Sequence, residues 1–261
     1  MPDRIATPNP HDIFRRQLPN GITFLARHNP YSASLVLAGY MPIGSLCDPE
    51  GMEGLAEMTA SLLMTGTQAH DEMQLYERLE SVGAHFGYNN STEMTLFGGQ
   101  GLREDYDLLL ETLAETLCTP AFPKKHLERM RVEWLAYLRE RRYSAGEMVG
   151  LRVRQALYAG HPYHRDGNGS LESVQTIHRQ AIQDFHNRWY APQGCVIAVT
   201  GGIQPQEAFE RLARTLEGWQ NPEYQPRPRV PATAPLPADT APQYLSIPDA
   251  RQAVVAVSGT I

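Results

Sequence analysis

Cysteine is scarce. The 261 residues hold three, Cys47, Cys118 and Cys195, and no two of them form a C-x-x-C pair. That odd, widely spaced set excludes a disulfide framework and a cysteine zinc site, and points to reduced thiols buried in the interior. Excess positive charge is missing too. The chain has 23 Lys and Arg against 29 Asp and Glu, a net charge of −6. Nucleic acid and anionic membranes both require a basic face, so neither is expected as a partner. No apolar run approaches the roughly 18–20 residues of a membrane span. The opening "MPDRIATPNPHDIFRRQ" lacks a basic-then-apolar leader pattern. The expectation is a cytoplasmic protein as written, or a periplasmic one if a leader has been removed from a longer form.

What is present reads as a mixture of strands and helices. "IFRRQL" and "ITFLARH" flank Pro19-Asn20-Gly21, a hairpin signal because Asn-Gly accepts positive φ cheaply. The run "SASLVLAGYMPIGS" predicts a strand covered on both faces. From Glu50 to Thr67, "EGMEGLAEMTASLLMTGT" has the rhythm of an amphipathic helix closed by Gly66, with Leu55, Met58, Leu62 and Leu63 on one stripe. A second helix is expected from about Glu72 to Ser81, with Gly83 as its left-handed cap. Strands are expected in "AHFGYNN" and "EMTLFGG", then helices near Arg103–Leu117, Lys124–Tyr143 and Glu147–Tyr158. A helix near Arg179–Trp189, the strand "GCVIAVTGG" and a helix near Pro205–Leu216 close the series. The fold class is α+β: one mixed, largely antiparallel sheet with helices packed on it.

The chain is expected to divide into a domain over residues 1–220, a linker over 221–242 and the start of something further over 243–261. "NPEYQPRPRVPATAPLPADTAP" is proline-rich and favours extended backbone. "SIPDARQAVVAVSGTI" has the polar lead-in and apolar run of the earlier "HNPYSASLVLAGYMPI", so it reads as the first strand of a truncated second copy of the fold. The alternative is a terminal strand that completes the first domain's own sheet.

An ordered set of short pieces resembles the pitrilysin/insulinase (inverzincin) zinc peptidases, which include the mitochondrial processing peptidase. The pieces are "LPNG", Gly44-Ser45 followed by Asp48-Pro49, Gly54-Leu55-Ala56, Gly66-Thr67, "LESVGA", "PAFP", "HPY", "WYAP", "VTGG" and Trp219. Each is weak alone, and their order and spacing together are specific. The family hydrolyses peptides with zinc held by an H-x-x-E-H helix and a Glu about 75 residues later. With "GLA" and "GT" held in register, the resemblance puts the first His of the motif at Glu57, the catalytic Glu at Ala60 and the second His at Ser61. The later Glu falls at Tyr137, with Glu133 and Glu140 one helical turn either side.

Ala60 cannot take a proton from a metal-bound water and Ser61 is a poor zinc ligand, so no zinc cofactor is expected. The resemblance implies a silent member that pairs with an active, H-x-x-E-H-bearing sister subunit or domain to enclose a peptide-cleaving chamber. In such proteins an unfolded peptide adds to a sheet edge, which here corresponds to Tyr88–Met94 with Asn90, Ser91 and Thr92 as the candidate contacts. Two other readings stay open: an active metallopeptidase using Glu57, His161 and His164, and a purely structural assembly subunit.

Other constellations are weaker. His161 and His164 form an H-x-x-H pair in a Gly/Asn-rich loop, read as structural. Ser170 near Asp166 and these His residues lacks the G-x-S-x-G elbow of a hydrolase. "GGQG" and "TGG" lack the G-K-[ST] of a phosphate loop. "KKHLERMRVEWLAYLRERR" interleaves acids and bases around Leu127, Met130, Trp134, Leu135 and Leu138, the pattern of a solvated helix with one apolar stripe.

Overall fold

The computed structural model describes residues 9–227, 229–233, 242–247 and 252–259. The chain opens with strands β1 (Phe14–Gln17) and β2 (Thr23–His28), paired antiparallel. The loop between them turns at Gly21, whose φ of 102° suits glycine. Asn20 in this loop donates from Nδ2 to the carbonyls of Leu216 and Trp219, at 2.7 and 3.1 Å, and ties the two ends of the domain together.

β3 (Ser34–Met41) leads to α1 (Leu55–Leu62), a 3-10 turn over Leu63–Thr65, and α2 (Glu72–Glu80). The helix at the start of this series is shorter than the sequence suggests, because Glu50–Gly54 forms a turn ahead of it. α2 begins at Asp71 in a reciprocal cap with Gln74. It ends as expected, with Gly83 at φ 67° and the Ala84 N–H reaching back to the Leu79 carbonyl at 2.9 Å. β4 (His85–Asn90) and β5 (Thr95–Leu102) form a second hairpin. Then come α3 (Tyr106–Cys118), α4 (Lys124–Arg141), α5 (Ala145–Leu157), α6 (Leu171–Thr176), α7 (Arg179–Trp189), β6 (Val196–Gly201) and α8 (Pro205–Leu216). The six-residue α6 is too short to show a helical period in sequence.

The strands form one sheet in the order β1-β2-β6-β3-β5-β4. Only β2 and β6 run parallel; the other neighbours are antiparallel. One face is buried, by Phe24, Leu37, Phe97, Ile197 and Val199 among others. The other face is open, with Val36, Tyr40 and Leu96 at 39, 37 and 41 % exposure. β3 is therefore covered on one face, not two: its apolar outer residues reflect β propensity on an open pleat rather than burial. Among the described residues no strand after Gly201 joins the sheet, and none of residues 243–247 and 252–259 is in a strand. No described helix is long and apolar enough to cross a membrane.

Close backbone approach sets one position in the sheet. A methyl group at Gly39 would stand 2.3 Å from the Val196 carbonyl oxygen and 2.4 Å from the Phe97 ring. The start of α1 is set by a buried carboxyl. Its N-cap is Gly54, which has no side-chain oxygen to offer, and the Asp48 carboxylate accepts the Gly54 and Ala56 N–H groups instead, at 2.9 and 2.7 Å. Asp48 is 4 % exposed, and burial pushes its carboxyl up to about 7, against the two N–H donors that favour the ionised form.

Two stability measurements check these points. Gly39→Ala forces β3 away from Phe97 and β6 and should cost about 1–3 kcal/mol in denaturant unfolding; an unchanged midpoint would remove the close-packing argument. Asp48→Ala orphans two helix N–H groups and should cost up to about 2 kcal/mol. The folded-state value for Asp48 lies above its unfolded value, so its contribution is complete below about pH 4 and is lost as pH rises towards 7. Asp48→Asn cannot titrate. Its stability relative to wild type should therefore rise by more than about 1 kcal/mol between pH 4 and 7, and a constant difference would contradict the burial of this carboxyl.

Candidate functional site

α1 lies against β4, α4 and α7, with Leu55, Met58 and Leu62 buried beneath it. Its remaining positions build the candidate site. Glu57 and Ser61 are half-buried and one turn apart, and Ser61 Oγ donates to Glu57 Oε1 at 3.4 Å. Asn90, at the end of β4, also turns its side chain towards Glu57. Burial raises the Glu57 carboxyl above its ordinary value, and Asn90 and Ser61 offset this only in part. Ala60 is buried and supplies no polar atom. At the end of α7, the Tyr190 hydroxyl is buried without a hydrogen-bond partner among the described residues.

Tyr137 sits on α4 and is 37 % exposed. Its hydroxyl donates to Glu147 Oε2 at 2.8 Å, and the Arg141 guanidinium lies 5.8 Å from its ring centroid. Partial burial and the Glu147 bond hold its phenol above the usual range. Arg141 continues to Asp166, with which it forms a close ion pair. Glu133 and Glu140 are exposed on the same helix. The Tyr137 hydroxyl is thus occupied in a surface network.

A catalytic zinc needs three His or carboxylate ligands and a base beside its water. Glu57, Ala60, Ser61 and Tyr137 offer one carboxylate and no imidazole, and they do not fit the ion. Among the described residues no group of three or more His, Cys, Asp or Glu is arranged to hold a metal. His161 uses both ring nitrogens elsewhere: Nδ1 accepts the Tyr163 N–H at 3.1 Å and Nε2 donates to the Pro231 carbonyl at 2.9 Å. His164 Nδ1 bonds the His161 carbonyl at 2.7 Å. Ser170 caps α6 through the Ser173 N–H, and Asp166 is taken by Arg141, so these residues form no triad.

Of the three candidate peptide contacts, Asn90 alone lies in β4. Ser91 and Thr92 form the turn after it, and their carbonyls accept the Ser45 and Leu46 N–H groups at 3.1 and 3.0 Å. β4 itself is an edge of the sheet, paired only to β5 among the described residues. Cys47 and Cys195 are buried free thiols, whereas Cys118 is exposed. It lines two surface cavities of about 310 and 620 Å³, shared with His186 and Asn187, and neither includes a residue of α1. Sequence reasoning missed this exposure because Cys118 ends α3, where periodicity does not set burial.

The profile of the family described as Insulinase (Peptidase family M16) matches residues 23–166, and that of the Peptidase M16 inactive domain matches residues 176–259. An uncharacterized zinc protease of Mycobacterium leprae is 25% identical over 195 residues, covering 75% of this chain and 44% of that protein. The mitochondrial-processing peptidase subunit beta of Neurospora crassa is 23% identical over 235 residues, 89% of this chain and 47% of that one. A crystal structure of a peptidase M16 inactive domain from Pseudomonas fluorescens superposes with a TM-score of 0.79 at 22% identity, over 85% of this chain and 54% of that one. The chain thus spans about half the length of the relatives it matches. With its fold shared and more than half its length matched by the family profile, the chain belongs to the insulinase family of peptidases, family M16.

Proposed function

We propose that the chain is the non-catalytic partner in a two-part zinc peptidase, pairing with a sister subunit or domain that carries an intact H-x-x-E-H helix. Together they enclose the space in which unfolded peptides are cleaved. The observation that carries this reading is α1 itself. It has a buried stripe of Leu55, Met58 and Leu62, and on our reading of the register Glu57, Ala60 and Ser61 take the positions of the H-x-x-E-H residues, where they offer one carboxylate and no imidazole. The likeness to a relative named as a beta subunit supports the paired arrangement. The edge of β4, unpaired among the described residues and beside α1, supports a role in holding extended peptide through backbone hydrogen bonds, with Asn90 at its end.

Three results are expected. Purified protein analysed by plasma mass spectrometry should contain well under one zinc per chain, and stoichiometric zinc lost on Glu57→Ala would overturn the reading. Replacing Glu57→His, Ala60→Glu, Ser61→His and Tyr137→Glu together restores the ligand set on an intact scaffold and should bring zinc content close to one per chain. In a third test, the sister subunit is assayed for peptide cleavage with and without this chain. Addition should raise the rate at least about tenfold; a sister fully active alone that never binds this chain would sink the pairing.

A further inference from the structure

The proline-rich stretch after Trp219 does not leave the domain as a free linker. Asn221 Nδ2 donates to the carbonyls of Asn187 and Tyr190 at 2.6 and 2.9 Å, and Arg188 donates to Gln225 at 3.1 Å. Further along, Arg227 donates from Nη1 to the Glu93 carbonyl oxygen at 2.9 Å and from Nη2 to Glu93 Oε2 at 3.1 Å. The other Glu93 oxygen accepts the Tyr163 hydroxyl. These two donors hold the Glu93 carboxyl below its ordinary value. Finally, His161 donates to the Pro231 carbonyl. Its Nδ1 already accepts the Tyr163 N–H, so the neutral ring carries its proton on Nε2, the tautomer this contact needs.

We propose that Glu93, His161 and Tyr163 form a clip that fastens residues 221–227 and 229–231 along the domain as a strap, setting where and in what direction the chain continues after Pro231. The H-x-x-H loop that looked like a metal pair is the receiving half of this clip. Its aromatic rings brace one another: Tyr158, His161 and Tyr163 meet in tilted and edge-to-face pairs with centroids 4.7–5.8 Å apart, and His161 is 7 % exposed. Proline suits the strap because extended backbone with fixed φ loses little freedom when it is held. Glu93 sits in the turn that closes β4 and β5, which is itself bonded to Ser45 and Leu46. The strap therefore grips the same turn that ends the edge strand, and whatever lies beyond Pro231 is oriented relative to that edge. The clip is independent of whether β4 receives a peptide.

Limited trypsin digestion tests this directly. Arg227 precedes a proline and resists cleavage, whereas the exposed Arg229–Val230 bond lies between the Arg227 and Pro231 anchors. A protease needs several residues to detach before it cuts, so the rate reports release of the strap. In the native chain this bond should be cut at least about tenfold more slowly than in a free peptide of residues 224–235. Arg227→Ala changes only the strap, and it should restore about tenfold of the rate at an unchanged melting temperature; His161→Ala should do the same. If His161→Ala destabilises the domain, Arg227→Ala decides. Native cleavage as fast as the free peptide, or an Arg227→Ala rate equal to wild type, overturns the clip.

Discussion

The anchoring of one helix N-terminus underlies the rest of the molecule. α1 starts at a glycine with φ 98°, a cap without a side chain, and depends on the Asp48 carboxylate six residues upstream for its first N–H partners. That carboxylate is held in turn. Arg165 donates to the Asp48 carbonyl at 3.0 Å, and Ser173 Oγ donates to the Glu53 carbonyl at 2.7 Å. The loop between them approaches so closely that a methyl group on Gly169 would lie 2.2 Å from the Glu53 oxygen. Trp134 Nε1 closes the ring by donating to the Asn168 carbonyl at 2.9 Å. α1 is thus fixed from its start by α4, the 165–170 loop and α6, and none of these contacts uses Glu57, Ala60 or Ser61.

That separation means the helix keeps its place whatever residues stand at 57, 60 and 61. Glu57 and Ser61 are only half-buried and Ala60 is small, so the side chains at these positions can vary while the buried stripe of Leu55, Met58 and Leu62 stays intact. Residues that remain there form local partnerships: Ser61 and Asn90 with Glu57, and Tyr137 with Glu147. The sheet beneath behaves likewise. Its buried face is close-packed around Gly39 and Phe97, while its outer face stays open. The strap adds a second layer of positioning, made from hydrogen bonds to the main-chain carbonyls of Pro231 and Glu93 and to the Glu93 carboxylate.

Most elements were legible because each carries a local signal. Asn20-Gly21 marks the first hairpin, Gly83 ends α2, and the stripe through Leu127, Leu135 and Leu138 defines the buried side of α4. β3 was misread as doubly covered because Val36 and Tyr40 are as apolar as core residues, and composition does not say which face of a sheet lacks helices. α6 was missed because six residues span too few turns to show a period. The H-x-x-H pair reads as structural from sequence, and the structure supplies the distant partner that sequence could not, the Pro231 carbonyl bonded to His161.

By itself the sequence determined the α+β class, the family, and the chemistry available at Glu57, Ala60, Ser61 and Tyr137, which together offer one carboxylate and no imidazole. These are properties of residue identity and short-range spacing, so they need no coordinates. Tertiary structure alone decided the sheet order with its parallel β2–β6 pair, the open outer face, the Asp48 cap and the fastening of Arg227 to Glu93. Each of those joins positions far apart in the chain or depends on which face another element covers. The Arg227–Glu93 bond spans 134 residues. Long-range contacts of this kind leave no periodic trace, because the chain's path through space, not its local pattern, brings the groups together.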